Sequence, residues 1–154
     1  MTSAGGSKIT RFEAIEAWQR ARDLTRRIYS VSEQPAWARQ PSLRDQIQRA
    51  AVSVVSNIAE GFERDGNREF RQFLSQAKGS AGEVKAQLYV ALDVGLLAQA
   101  EFDDLYRVAD DTGRLIGGFM RYLAQAQYGG VKFRTSPRNP EPPTRNSKLE
   151  TRNP

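Results

Sequence analysis

Arg71, Lys78 and Lys85 stand seven residues apart. On an α-helix that spacing returns to nearly the same face, so the three cations form a stripe about 21 Å long, which Arg64 and Arg68 extend into the preceding turn. Evenly spaced cations neutralise successive phosphates without reading base edges. A solvated helix face has the same pattern, and Arg64 has a rival partner in Glu60 four residues earlier. Glu16 with Arg20, Asp23 with Arg27 and Asp45 with Arg49 repeat that acid-to-base spacing, each pair contributing only a few tenths of a kcal/mol. Five residues, Arg64, Arg68, Arg71, Lys78 and Lys85, are therefore the candidate nucleic-acid contacts.

Other chemistries are narrowly bounded. The chain has neither histidine nor cysteine, which removes thiol nucleophiles, disulfides, thiolate metal sites and the Glu-x-x-His pairs of di-iron bundles. No metal or cofactor is expected. Catalysis would need carboxylates, Lys, Tyr or Ser, and the best polar constellation is Ser56, Asn57 and Glu60 on one helix. Without a general base tuned near neutrality, such groups serve to hold a helix crossing. No catalytic residue is assigned, and the chain reads as non-enzymatic.

A net charge of +5 suggests an anionic partner until it is divided along the chain. Residues 129–154 hold six basic and two acidic groups, leaving only +1 for residues 1–128. Residues 1–85 hold fourteen basic and ten acidic groups, while residues 86–128 hold three and six. The first half is positive and the second negative, which favours the first as the seat of a polyanion.

The elements that position these groups are helical. The stretch Gln46–Phe62 has an apolar arc about 200° wide at ~100° per residue. Ile47, Ala51, Val54 and Ile58 form one stripe, and Val52, Val55, Ala59 and Phe62 form a second beside it. Gln48 is a polar intruder in the arc. One stripe faces the domain's core; the second predicts a contact with another helix or subunit, so Val52, Val55, Ala59 and Phe62 are the candidate oligomer interface.

Before it, a Thr10-x-x-Glu13 capping box is expected to open a helix whose seam is Ala14, Ala17, Ala21, Leu24, Ile28 and Val31, flanked by Trp18 and Tyr29. Pro35 and Pro41 break the chain, and Trp37 between them is placed to shield a core end. The second helix runs from about Leu43 to Phe62, with Gly61 as its left-handed closing residue. After the Asp65-Gly66 turn, the third helix spans about Arg68 to Leu96. Its seam is Phe70, Leu74, Ala77, Ala81, Val84, Leu88, Ala91 and Gly95. Gly79 and Gly82 within it imply a close helix approach or a bend. The fourth helix, from about Ala100, carries Phe102, Leu105, Ala109, Thr112, Ile116, Phe119 and Leu123. Four seams of one period predict an all-α, antiparallel up-down-up-down four-helix bundle over residues 9–126, after a flexible segment 1–8.

From 127 to 154 the character changes to a low-complexity basic tail, expected to be disordered. Arg138-Asn139, Arg145-Asn146 and Arg152-Asn153 recur there every seven residues, but the prolines among them exclude a coiled coil. The amino terminus has no signal-peptide pattern, and no apolar run approaches the ~20 residues needed to span a bilayer. A cytoplasmic protein with no membrane association is expected.

The block Gln-Ile-x-Arg-Ala-Ala-Val-Ser-Val-x-Ser-Asn-Ile-Ala-Glu-Gly-Phe at 46–62 resembles the signature of the four-helix-bundle family of 23S rRNA intervening-sequence proteins. That family is similar in turn to the accessory variability protein of diversity-generating retroelements. Phe12–Tyr29, Phe73-Leu74 with Gly79-Ser80, and Glu83 with Gln87-Leu88 fit as well, so the resemblance covers about residues 9–125. Val55 stands where the family usually has Pro, implying a straighter helix, and Gln48 where it usually has Arg, removing a cation. The resemblance implies a homopentameric barrel with a basic surface, and the retroelement relative implies nucleic-acid and reverse-transcriptase partners. The expectation is an oligomeric bundle that binds RNA or DNA without sequence preference. The alternative is a structural or adaptor scaffold for another protein.

Overall fold

The computed structural model describes residues 8–126, so the basic tail and nearly all of the amino-terminal segment lie outside the described residues. Four long helices make up the described chain: α1 (Glu16–Ser32), α2 (Pro41–Glu63), α3 (Asn67–Asp93) and α4 (Gln99–Gln125). Short 3-10 turns at Phe12–Ala14 and Pro35–Arg39 precede α1 and α2, and no strand occurs among the described residues. Each helix packs on two others, in the cyclic order α1, α2, α3, α4 and back to α1. The bundle therefore has four edges, and α3 shares one with α2 and one with α4.

The seams dictate this packing because each apolar stripe must be covered. Ala17, Ala21, Leu24, Ile28 and Val31 of α1 are buried against Ile47, Ala51, Val54 and Ile58 of α2. Phe70, Leu74, Ala77, Ala81, Val84, Leu88 and Ala91 complete the core from α3, and Phe102, Leu105, Ala109, Thr112, Ile116 and Leu123 from α4. Thr112 satisfies its buried hydroxyl by donating to the Val108 carbonyl at 2.7 Å. Trp37 is fully buried and closes one end of the core beside Leu97 and Phe102, as its place between two prolines suggests.

Several local expectations are corrected. The Thr10–Glu13 capping box does not form: Glu13 pairs with Arg11 at 2.6 Å, and α1 begins after Ile15, which replaces the exposed Ala14 in the core. Gly61 is not a left-handed closing residue but lies inside α2; among the described residues the positive-φ glycines are Gly66 and Gly95. The reason for Gly61 is contact, since a Cβ there would stand 2.6 Å from Phe73 Cβ and 2.8 Å from a Phe70 ring carbon. Of the close approach or bend expected at Gly79 and Gly82, the close approach is absent: a Cβ at either would meet nothing within 4 Å. Gly95 leaves the α3 seam to turn the chain at φ 80°.

Candidate functional site

Along the edge between α3 and α4 the helices leave a groove of about 520 Å³. Its walls carry Lys78 and Lys85 from α3 with Arg114 and Arg121 from α4, and its acid is Asp110. Four cations thus meet one carboxylate. The floor is open because Gly82, Gly113 and Gly117 supply no side chains, and a Cβ at Gly82 or Gly113 would meet nothing within 4 Å.

Pairing across the groove follows from the turn between α3 and α4, which brings residues equidistant from the Leu97–Ala98 bond face to face. Lys85 Nζ donates to Asp110 Oδ1 at 2.9 Å, and Arg114 Nε lies 2.9 Å from Asp110 Oδ2. The carboxylate hydrogen bond raises the Lys85 pKa above its ordinary value and holds the Asp110 carboxyl below its own. Both effects lock the charged forms in place at neutral pH.

Two turns further along, Lys78 and Arg121 converge on Gly117. Lys78 Nζ stands 3.4 Å, and Arg121 Nη1 3.5 Å, from the position of a Cβ on Gly117, so the two charges lie within about 7 Å of one another. Neither makes an ion pair among the described residues. Like charges at that spacing repel by ~0.6 kcal/mol in water and more in a partly dehydrated groove, an energy that a bound anion reverses. Beyond Lys85, outside the groove's own lining, aromatic side chains follow, with Lys85 Nζ 5.1 Å from the centre of the Tyr106 ring.

The expected stripe is divided by this geometry. Lys78 and Lys85 line the groove, whereas Arg68 and Arg71 are exposed outside it. Arg64 is held by Glu60 at 2.8 Å and Glu69 at 3.7 Å and lies over the Phe73 ring. Of the other expected acid-to-base pairs, Asp23 with Arg27 and Asp45 with Arg49 form, at 3.0 and 3.1 Å. Sequence alone does not single out Arg114 and Arg121, which the fold brings to the groove. Their spacing of seven matches that of Lys78 and Lys85, and it was hidden by the acidic balance of residues 86–128.

The expected interface residues are divided too. Val52 is 39% exposed, Val55 and Ala59 are half-buried, and Phe62 is only 5% exposed. Phe62 belongs to the core, edge-on to Phe70 with ring centres 6.0 Å apart, because it lies within ~60° of the buried stripe on the helix wheel. Gln48 is no intruder: its amide donates to Ser32 Oγ at 2.9 Å and to Glu33 at 3.2 Å. Of the Ser56, Asn57 and Glu60 constellation, Asn57 bonds Ser53 and Glu60 bonds Arg64, so the three form no common site. Among the described residues no group of three His, Cys, Asp or Glu is placed to hold a metal, and no helix is long and apolar enough to cross a membrane.

Comparison with known proteins agrees with this architecture. No curated protein matches the chain. A solved structure, described as a protein with unknown function from the S23 ribosomal protein family of Bacteroides thetaiotaomicron VPI-5482, is similar with a TM-score of 0.61 at 16% identity. The match covers 68% of this chain and 98% of that one, a likeness of fold alone. The family model of the 23S rRNA-intervening sequence protein matches residues 13–118, more than half of the chain. The chain belongs to the 23S rRNA-intervening sequence protein family.

Proposed function

We propose that this protein is a non-enzymatic helical bundle, antiparallel and up-down-up-down, that binds the phosphate backbone of nucleic acid in the groove between α3 and α4. The observation that carries the reading is the convergence of Lys78 and Arg121 over Gly117, without an acidic partner among the described residues. Phosphate oxygens satisfy such a pair, and contacts to phosphate carry no sequence information, so the binding is indifferent to sequence. Lys85 and Arg114 form a reserve, held by Asp110 until a phosphate competes for them.

Self-association completes the reading. Val52, with the half-buried Val55 and Ala59, gives α2 an outward apolar strip suited to a second copy, and a ring of five follows by family resemblance. A ring would repeat the groove around its circumference and raise affinity for a long strand through multivalency. Light scattering of the unaltered protein at micromolar concentration tests this; a monomer contradicts it.

A second reading, an adaptor for another protein, is favoured by one observation: Val90 and Val94 near the end of α3 are 47% and 53% exposed. A salt titration separates the two. Binding to mixed-sequence RNA and DNA should weaken linearly on a log-log plot, with a slope of about −0.9 per duplex phosphate neutralised. Changing Lys78→Gln with Arg121→Gln should lower that slope by about two. Binding that ignores salt, or a slope unmoved by the double change, removes the groove from the account.

A further inference from the structure

Beyond the Lys85 end of the groove, outside its own lining, stands an aromatic cluster. Tyr89, one turn beyond Lys85 on the same face of α3, is 50% exposed. Its ring lies 4.8 Å from Phe102 and 5.6 Å from Tyr106, centre to centre, and Phe102 and Tyr106 are 5.4 Å apart. Three rings from two helices thus brace one another. Phe102 is buried, Tyr106 half-buried, and much of Tyr89 remains uncovered. The Lys85 ammonium links this cluster to the groove, lying 5.1 Å from the Tyr106 ring centre while bonded to Asp110.

From Lys78 to Tyr89 is eleven residues, about 16 Å along the helix. In that length the α3–α4 edge presents, in order, an unpaired pair of cations, a floor of glycines and one alanine, a paired lysine and, past the groove, a braced tyrosine. Cations alone suit any polyanion. An aromatic platform in line with them suits a polyanion that carries flat, unstacked rings, which is the pairing of features that proteins use for single strands. A duplex meets the groove poorly on both counts. Its bases are already stacked on each other, and two packed helices whose axes are ~8–10 Å apart leave a channel too narrow to admit it.

We propose that the groove takes a single strand of nucleic acid, its backbone crossing Gly82, Gly113 and Gly117 between the cations and one base stacking on Tyr89. This rests on the phosphate-binding reading of the same groove. Gly82 and Gly113 provide the clearance: the space a Cβ would fill at either position is where the sugar–phosphate chain passes. Tyr89 supplies the face, and Tyr106 and Phe102 hold that face in place.

The test is fluorescence anisotropy with a labelled mixed-sequence oligonucleotide of about 10 nucleotides, single-stranded or annealed to its complement, at fixed salt. The proteins are the full chain and its Tyr89→Leu, Tyr89→Phe and Lys78→Gln/Arg121→Gln variants. The single strand should bind more tightly than the duplex. Tyr89→Leu should lose about tenfold for the single strand with its salt slope unchanged, because stacking releases no counterions, and Tyr89→Phe should retain the affinity. Equal binding of duplex and single strand, or a Tyr89→Leu variant of full single-strand affinity, overturns the single-strand proposal and leaves the phosphate reading standing if the double variant still weakens binding. An acidic peptide that displaces the oligonucleotide at equal concentration also overturns it. Salt-independent binding, or none to either form, removes both.

Discussion

The two edges of α3 use the same residue types to opposite ends. Toward α2 the helices are pressed together: Gly61 meets Phe73 and Phe70, and Ser53 and Ser80 share a hydrogen bond of 2.9 Å with Asn57 bonded to Ser53 behind them. Toward α4 glycine instead leaves open space, and the polar groups that face it are charged. A glycine at a seam permits contact, whereas a glycine between cations makes room. On the neutral edge Ser53 bonds both Ser80 and Asn57; the charged edge leaves Lys78 and Arg121 without an acid among the described residues.

One substitution made at both edges should break the comparison most visibly. Gly61→Ala should destabilise the protein by about 1–3 kcal/mol, because Phe73 Cβ cannot move without its backbone. Urea unfolding at constant m-value measures it. At the open edge Gly113→Ala should instead stabilise by up to ~1 kcal/mol, the helix-propensity gain of Ala over Gly, with no clash to oppose it. Destabilisation of similar size at both positions would show that the groove is closed in solution.

A smaller effect concerns Asp110. Asp110→Asn frees Lys85 and Arg114 and removes the groove's own anion, so nucleic-acid affinity should rise by roughly threefold at moderate salt. The same variant has a pH signature. Asp110 is depressed and Lys85 raised, so their pair contributes fully from above the ordinary carboxylate range, ~4, to below the ordinary lysine range, ~10. The contribution is lost as pH falls through the lowered Asp110 value. Thermal melts of wild type and Asp110→Asn should therefore differ by a constant amount between about pH 5 and 9 and converge in acid. The smallest effect is Arg64→Gln, an exposed pair whose loss should change binding by less than twofold, read in the same titration.

The seams were legible because helical period alone decides them: Ile47, Ala51, Val54 and Ile58 are all buried, as their spacing requires. Phe62, grouped with the outward stripe, lies within ~60° of the buried one on the helix wheel, and the Phe70 ring of α3 packs edge-on against it. Gly61 and Gly82 look alike in sequence, and only the distance to the next helix separates them. The site was half legible. Lys78 and Lys85 appeared as a stripe, but their partners Arg114 and Arg121 lie across a turn, in a stretch whose net charge is negative. A fold of the third and fourth helices about the Leu97–Ala98 bond places Lys85 opposite Asp110 and Lys78 opposite Gly117. Summing charge by segment conceals a basic groove that two helices build together.

The most direct test compares cations inside the groove with cations outside it, in equal number. Salt titrations of single-strand binding should be run on the full chain, on Lys78→Gln/Arg121→Gln, and on Arg68→Gln/Arg71→Gln, two exposed arginines of the same helix that do not line the groove. The groove pair should reduce the log-log slope by about 1.4, at ~0.7 per single-strand phosphate, and the outside pair should leave it nearly unchanged. Equal reductions from both pairs would mean that the helix binds polyanions by charge alone, and that the groove between α3 and α4 is no site.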